Sequence, residues 1–183
     1  ISDQPILKWQ DITESGTNIV GEIAVKAEWA TRTYFNRQDL TQLAKIEDGN
    51  SFWHRMGDLG RLDEKNRLWF YGRKNQRVVT EFETLYTIPC EAIFNQHPDV
   101  KRSALVGTGS STQAVIIIEP TNLDRIKSQA ARQKFTAELL ERGAKSSLTQ
   151  SITKVLFHAE FPVDVRHNAK IFREKLSLWA ENQ

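Results

Sequence analysis

The sequence predicts an α+β fold in two parts: a small β-barrel-like subdomain, then a small domain mixing strands and helices. Three observations predict it. Gly21-Glu22-Ile23-Ala24-Val25-Lys26 alternates polar and apolar residues, as a half-buried strand does. Two β-runs flank the polar tetrad Asp63-Glu64-Lys65-Asn66, which reads as a hairpin turn. Beyond Asn75 the short β-runs give way to strands interleaved with helix-length segments. The boundary is read at Arg73-Lys74-Asn75, giving parts 1–74 and 75–183.

In the first part a second strand, Ser51 to Met56, runs into a Gly57-Asp58 turn. Gly60 to Asp63 then leads to the polar turn, and Arg67 to Tyr71 returns to Gly72. Short strands at this spacing suggest a small barrel or sandwich. In the second part Gln76 to Thr87 reads as another short hairpin, and Pro89 marks the first turn of a helix through Asn95. Val100 to Gly107 and Ala114 to Glu119 read as strands, the latter apolar enough to be buried on both faces. A long helix is expected over 122–142, with Gly143 as its C-cap. Ile152 to Phe161 returns to strand, and Ile171 to Ala180 is a last amphipathic helix. The five tryptophans, Trp9, Trp29, Trp53, Trp69 and Trp179, are expected in core and strand packing.

Composition narrows the function. With 39% hydrophobic residues in 183 the chain can build a packed core, and a net charge of +2 is too small to argue for nucleic acid or an anionic membrane. No apolar run approaches a membrane span, and no basic-then-apolar leader opens the chain. The start at Ile1, without Met, reads as the middle of a longer protein. Cys90 is the single cysteine, so no internal disulfide can form and a cytoplasmic setting is the default. A thiol near a helix N-terminus can be activated, but an apolar helix around Cys90 favours a small core filler.

Three residues could carry chemistry. Asp58 sits between Gly57 and Leu59 at a strand end, where its carboxylate could accept hydrogen bonds from a ribose diol or serve only as a turn residue. Arg73, after Gly72, offers forked donors to a phosphate or ribose oxygen; the alternative is a surface ion pair with Asp58. Lys170 lies in what reads as a short turn between a strand and a helix. Its ammonium could bridge two oxyanions during attack of a carboxylate on a phosphate, or simply be solvated. Asn75 marks the joint. His54, His97, His158 and His167 show no metal-ligand spacing with one another or with Cys90, so no metal site is expected.

Joined in order, these motifs resemble the adenylate-forming superfamily of acyl-CoA synthetases, peptide-synthetase adenylation domains and luciferases. Gly21-Glu22-Ile23-Ala24-Val25 with Tyr34-Phe35-Asn36-Arg37-Gln38-Asp39-Leu40-Thr41 is similar to the family's "GEL…V…Y.N.PE.T" stretch. Trp53-His54-Arg55-Met56-Gly57-Asp58-Leu59-Gly60-Arg61 is similar to "YRTGDLGR", Tyr71-Gly72-Arg73-Lys74-Asn75 to the "GRKDD" hinge, and Asn168-Ala169-Lys170-Ile171 to "NGKI". The resemblance implies that Asp58 binds the ribose of ATP and Arg73 contacts ribose and phosphate. It also implies that Asn75 is the hinge of a mobile C-terminal domain, and that Lys170 engages the carboxylate and α-phosphate. The first part would then be the end of the large domain. ATP with Mg would be bound mainly by an upstream domain lying outside this chain, so the chain alone should be inactive.

Two departures refine this. Where CoA-using members carry a glycine-containing "K..GYRI.P.EIE" loop lining the pantetheine tunnel, Val78 to Glu91 has a different length and no glycine. Ala169 replaces the glycine before the lysine. The segments "GRK…RVV", "TIPCEAIFNQHP" and "FPVDVRHNAKIFREKL" resemble the olefin-biosynthesis β-lactone synthetases, often labelled AMP-dependent fatty acid ligases or peptide synthetases. That resemblance implies activation of a fatty, β-hydroxy acid as acyl-AMP and ring closure to a β-lactone without CoA, with possible assembly with pathway enzymes. A fatty acyl-CoA ligase is the sibling reading. A non-catalytic binding module is the reading from another class, supported only by basic positions such as Arg125, Lys127, Arg132 and Lys134, which a solvated helix face also explains.

Overall fold

The computed structural model describes every residue except Ser110, Ser111 and Val165, with backbone alone at His167, Asn168 and Ala169. The fold is α+β. The chain forms two compact units, Ile1–Asn75 and Gln76–Gln183. Among the described residues no helix is long and apolar enough to cross a membrane.

The first unit opens with a 3-10 turn over Trp9–Asp11, followed by β1 (Gly21–Val25), α1 (Gln38–Ala44), β2 (Lys45–Asp48), β3 (Ser51–Leu62) and β4 (Leu68–Arg73). The long β3 organises it. β1 lies antiparallel along one edge of β3; β2 covers the first half of the other edge and β4 the second half. The change of partner falls at Gly57, whose φ of 66° is the left-handed backbone a glycine adopts without strain. Opposite it the β1 register shifts between Glu22 and Ala24, a bulge that bends the strand. Among the described residues neither β2 nor β4 pairs with β1. The sheet is therefore open, where a barrel-like closure was expected.

This unit is held by polar contacts as much as by its small core of Ile46 and Leu59. The buried Arg55 guanidinium donates to Glu22 Oε2 from both Nε (3.1 Å) and Nη2 (2.6 Å), and to the carbonyls of Ser2, Gln4 and Leu43. Trp9 stacks on Trp53 at 4.2 Å. Trp29, by contrast, is 84% exposed and packs in no core, against the expectation for the tryptophans.

The second unit begins with a short ribbon, β5 (Val78–Val79) and β6 (Thr84–Leu85), then α2 (Thr87–Phe94), β7 (Val100–Thr108) and β8 (Gln113–Pro120). A 3-10 turn over Leu123–Ile126 precedes α3 (Gln129–Ala144); β9 (Lys154–Phe157), β10 (Val163–Asp164), β11 (His167–Ile171) and α4 (Arg173–Ala180) complete it. β7, β8 and β9 form a sheet in that order, β7 antiparallel and β9 parallel to β8, with α3 as the crossover a parallel pair requires. Period-two alternation sends Leu105, Ile116 and Ile118 toward Cys90 and Phe94 of α2 and Phe135 and Leu139 of α3. Ala104, Val106, Val115 and Ile117 go to the opposite face, against Ile171 and α4 residues Leu176 and Ala180. β8 is thus buried on both sides, as its continuous apolar run predicts.

Several expected boundaries moved. The strand expected over 152–161 is confined to Lys154–Phe157, and Gly57-Asp58, expected as a turn, lies within the continuous strand β3, where Gly57 bends the chain without ending it. The helix expected over 122–142 is two pieces, because Asn122 and Ser128 each act as an N-cap: Asn122 accepts from Asp124 N–H and Ser128 Oγ from Ala131 N–H. Gly143 is not a cap but a helical residue, and a Cβ there would come 3.0 Å from Phe94 Cζ.

Candidate active site

The β3–β4 hairpin brings Asp58 and Arg73 together. They are direct cross-strand partners, and Arg73 Nη1 stands 3.1 Å from Asp58 Oδ1. That approach lacks hydrogen-bond geometry: Oδ1 is buried and accepts no hydrogen bond among the described residues, while Nη1 donates to the Met56 carbonyl at 3.3 Å. Charge is balanced, but the carboxylate's acceptor capacity is unspent. The guanidinium is 59% exposed, so its other donors remain available to an incoming group. A half-exposed ion pair contributes only about 0–1 kcal/mol to folding. A carboxylate beside forked donors at a hairpin end can instead receive a diol and an adjacent oxyanion.

Past Arg73 the chain makes a 3-10 turn over Lys74–Gln76 with Asn75 exposed. Lys74 Nζ donates to the Ser2 carbonyl at 3.0 Å and to Glu22 Oε2 at 3.2 Å, joining the Arg55–Glu22 pair.

Lys170, expected in a turn, lies in strand β11. Val163 pairs with Ile171 and Asp164 with His167, and Phe172 N–H donates to the Pro162 carbonyl at 2.9 Å, extending the ribbon past the lysine. The last helix starts at Arg173 rather than Ile171, because Ile171 is committed to the core as a strand residue and Phe172 has a non-helical ψ of 79°. Lys170 is exposed and makes no hydrogen bond or ion pair among the described residues. The side chain of the neighbouring His167 lies outside them.

The remaining candidates are structural. The Cys90 thiol donates to the Leu148 carbonyl at 3.2 Å, and burial pushes its pKa up to about 12, so no thiolate forms near neutral pH. His54 contacts Lys45 and the Ala44 carbonyl, His97 accepts from Asp99 N–H, and His158 accepts from Glu160 N–H against Trp179. No group of three metal-ligating side chains occurs among the described residues. An apolar groove of about 810 Å³ in the first unit, lined by residues such as Trp9, Ile23 and Leu68, includes neither Asp58 nor Arg73.

Sequence reasoning missed the buried polar clusters of the second unit, one around Glu119 with Lys101 and Arg102 and one around Glu91. Glu91 on α2 accepts from Arg173 Nε at 3.1 Å and Nη2 at 2.6 Å, and its Oε1 also accepts the Leu105 N–H of β7 at 2.9 Å. Burial raises the Glu91 pKa, with the Arg173 charge opposing. The available signal was a lone carboxylate inside the apolar run Ile88 to Phe94, which calls for a buried partner.

No protein-family model matches the chain. Among curated proteins, the olefin beta-lactone synthetase of Xanthomonas campestris pv. campestris is 44% identical over 188 residues, covering 100% of this chain and 34% of the relative. That of Stenotrophomonas maltophilia is 40% identical over 185 residues, covering 98% and 33%. Among solved structures, the O-succinylbenzoate coenzyme A synthetase of Bacillus subtilis in complex with AMP superposes with a TM-score of 0.70 at 21% identity, over 88% of this chain and 31% of that one. The chain spans about a third of the length of the curated relatives it matches.

Proposed function

We propose that this chain, which belongs to the adenylate-forming AMP ligases, is the C-terminal part of an enzyme that converts a β-hydroxy fatty acid to a β-lactone. The observation that carries the reading is the match along the whole of this chain, at 44% identity, to about a third of a β-lactone synthetase. In the first step the substrate carboxylate attacks the α-phosphorus of ATP and pyrophosphate leaves. Asp58 accepts hydrogen bonds from the ribose hydroxyls and Arg73 donates to ribose and phosphate oxygens, which the unspent Oδ1 and the exposed guanidinium support. Lys170 brings its ammonium between carboxylate and phosphate, where two anions must approach. Ile1–Asn75 is the end of the large domain, Gln76–Gln183 the mobile domain, and Asn75 the hinge.

In the second step the substrate's β-hydroxyl oxygen attacks the acyl carbonyl, the C–O bond to phosphate breaks, AMP leaves and the hydroxyl proton passes to solvent. This step requires no CoA. The β5–β6 hairpin is in keeping with that: in place of the glycine-containing loop that lines a pantetheine tunnel, its tip presents the exposed Phe82 between Glu81 and Glu83. No group of carboxylates among the described residues could hold Mg, and the Mg that accompanies ATP would be held mainly by the upstream domain. Enzymes that supply the β-hydroxy acid and consume the lactone are the expected partners.

The test is product analysis by mass spectrometry with full-length enzyme, ATP and a β-hydroxy fatty acid. Lactone and AMP should form at equal rates with and without CoA. Acyl-CoA as the main product, or no lactone in its absence, overturns the reading in favour of an acyl-CoA ligase.

A further inference from the structure

We propose that Arg173 is a positioning residue for Lys170, fixing the lysine's strand relative to Gln76, the first residue of the second unit. The inference rests on the reading above, in which Lys170 serves adenylation. β10 and β11 share two register pairs with a shift between them, and so short a ribbon cannot by itself hold an exposed side chain in place. Ile171 seats the ribbon in the core, but its apolar contacts do not tie it to Gln76; the polar anchor that does is Arg173, three residues beyond the lysine.

Its guanidinium uses all three nitrogens. Nε and Nη2 grip Glu91 as a fork, and Nη1 donates to Gln76 Oε1 at 3.3 Å. Glu91 is in turn held by the Leu105 N–H on the edge of β7. One side chain thus joins the start of α4, helix α2, the sheet edge and the residue after Asn75. The pair is largely buried, with side-chain exposures of 14% and 7%, so its geometry is held tightly.

The first unit has a matching anchor. Lys74 is tied to Ser2 and Glu22, and Glu22 to the buried Arg55. Residues 74 and 76 are each fastened within their own unit, which leaves the exposed Asn75 between them as the place for backbone rotation. With rotation confined there, the reach of Lys170 is set by the links Gln76–Arg173 and Arg173–Glu91. Misplacement of a catalytic group by about 1 Å can cost on the order of 100-fold in rate.

The experiment measures pyrophosphate exchange, as kcat and KM for ATP, together with melting temperature, in full-length enzyme. Arg173→Met is expected to lower kcat by roughly tenfold or more while the KM for ATP stays within about twofold, because Asp58 and Arg73 are untouched. Arg173→Lys should recover part of the loss. Gln76→Ala removes only the bond beside the joint and should lower kcat by roughly threefold without moving the melting temperature. An unchanged kcat in folded Arg173→Met, or in Gln76→Ala should Arg173→Met not fold, overturns the proposal, as does a loss confined to KM. Lys170→Ala separates the two claims. If it still exchanges pyrophosphate, the functional reading falls; if it is inactive while the Arg173 variants are normal, only the positioning role falls.

Discussion

Two aspartates of the β3–β4 hairpin have opposite surroundings, and that contrast separates a structural carboxylate from one available to a ligand. Asp63 has filled its acceptors: Oδ1 takes the Lys65 and Arg67 N–H groups at 2.9 Å each, and Oδ2 takes Arg67 Nε at 2.7 Å and Trp69 Nε1 at 3.0 Å. The Trp69 indole and the Arg67 backbone N–H, with burial opposing, hold its pKa at about 2 against an ordinary 3.8. Asp58 Oδ1 accepts nothing among the described residues. The sequence places Asp58 between Gly57 and Leu59 and Asp63 at the head of a polar tetrad, but which carboxylate has its acceptors filled is visible only in the folded geometry. A depressed folded pKa means that the stabilisation from Asp63 is complete above pH 3.8 and is lost as pH falls through about 2. Chemical-shift titration should find the Asp63 carboxyl with a midpoint near 2, and Asp63→Asn should flatten the stability profile over that window. A midpoint near 4 would show these hydrogen bonds to be open in solution.

Among elements, helix α3 poses a contest of magnitudes at Gly143. Replacing a helical glycine by alanine is ordinarily favourable by about 1 kcal/mol. Here the new Cβ would meet Phe94 Cζ at 3.0 Å and Cε1 at 3.3 Å, and Phe94 is fully buried in the core with Leu139 and Ile152. Overpacking a filled core costs about 1–3 kcal/mol, so the clash should win. Gly143→Ala is expected to lower unfolding free energy by roughly 1 kcal/mol in denaturant titration; a stabilised variant would mean that Phe94 has room to move. The error over Gly143 shows where sequence runs out. Glycine after a helical pattern suits a cap or a close approach equally well, and only the neighbour across the space decides. The strand β8 and both hairpins were legible because alternation and turn residues are local signals. The strand placement of Lys170 was not, since it depends on a two-pair ribbon whose partner strand is only Val163–Asp164. Asp58 and Arg73 could be placed on neighbouring strands, but their registry needed the hairpin bulge between Leu59 and Gly60.

At the scale of the whole molecule, the question is how much of an adenylation site 183 residues can hold. Binding ATP for in-line attack requires donors around the β- and γ-phosphates, commonly a glycine-rich loop whose backbone N–H groups converge. The chain's nine glycines are scattered, and the positive-φ ones, Gly49, Gly57, Gly72 and Gly109, lie singly in turns or strands. In the proposed reading the chain supplies ribose-side contacts at Asp58 and Arg73 in one unit and the Lys170 ammonium in the other. Each can stabilise a transition state only once triphosphate and carboxylate are held elsewhere. The chain also spans about a third of the relatives' length. The isolated 183-residue chain is therefore expected to fold yet to exchange no labelled pyrophosphate into ATP when given a fatty acid, in a preparation free of full-length enzyme. Exchange above background would mean that these two units assemble a complete nucleotide site, and the division of labour proposed for Asp58, Arg73 and Lys170 would have to be abandoned.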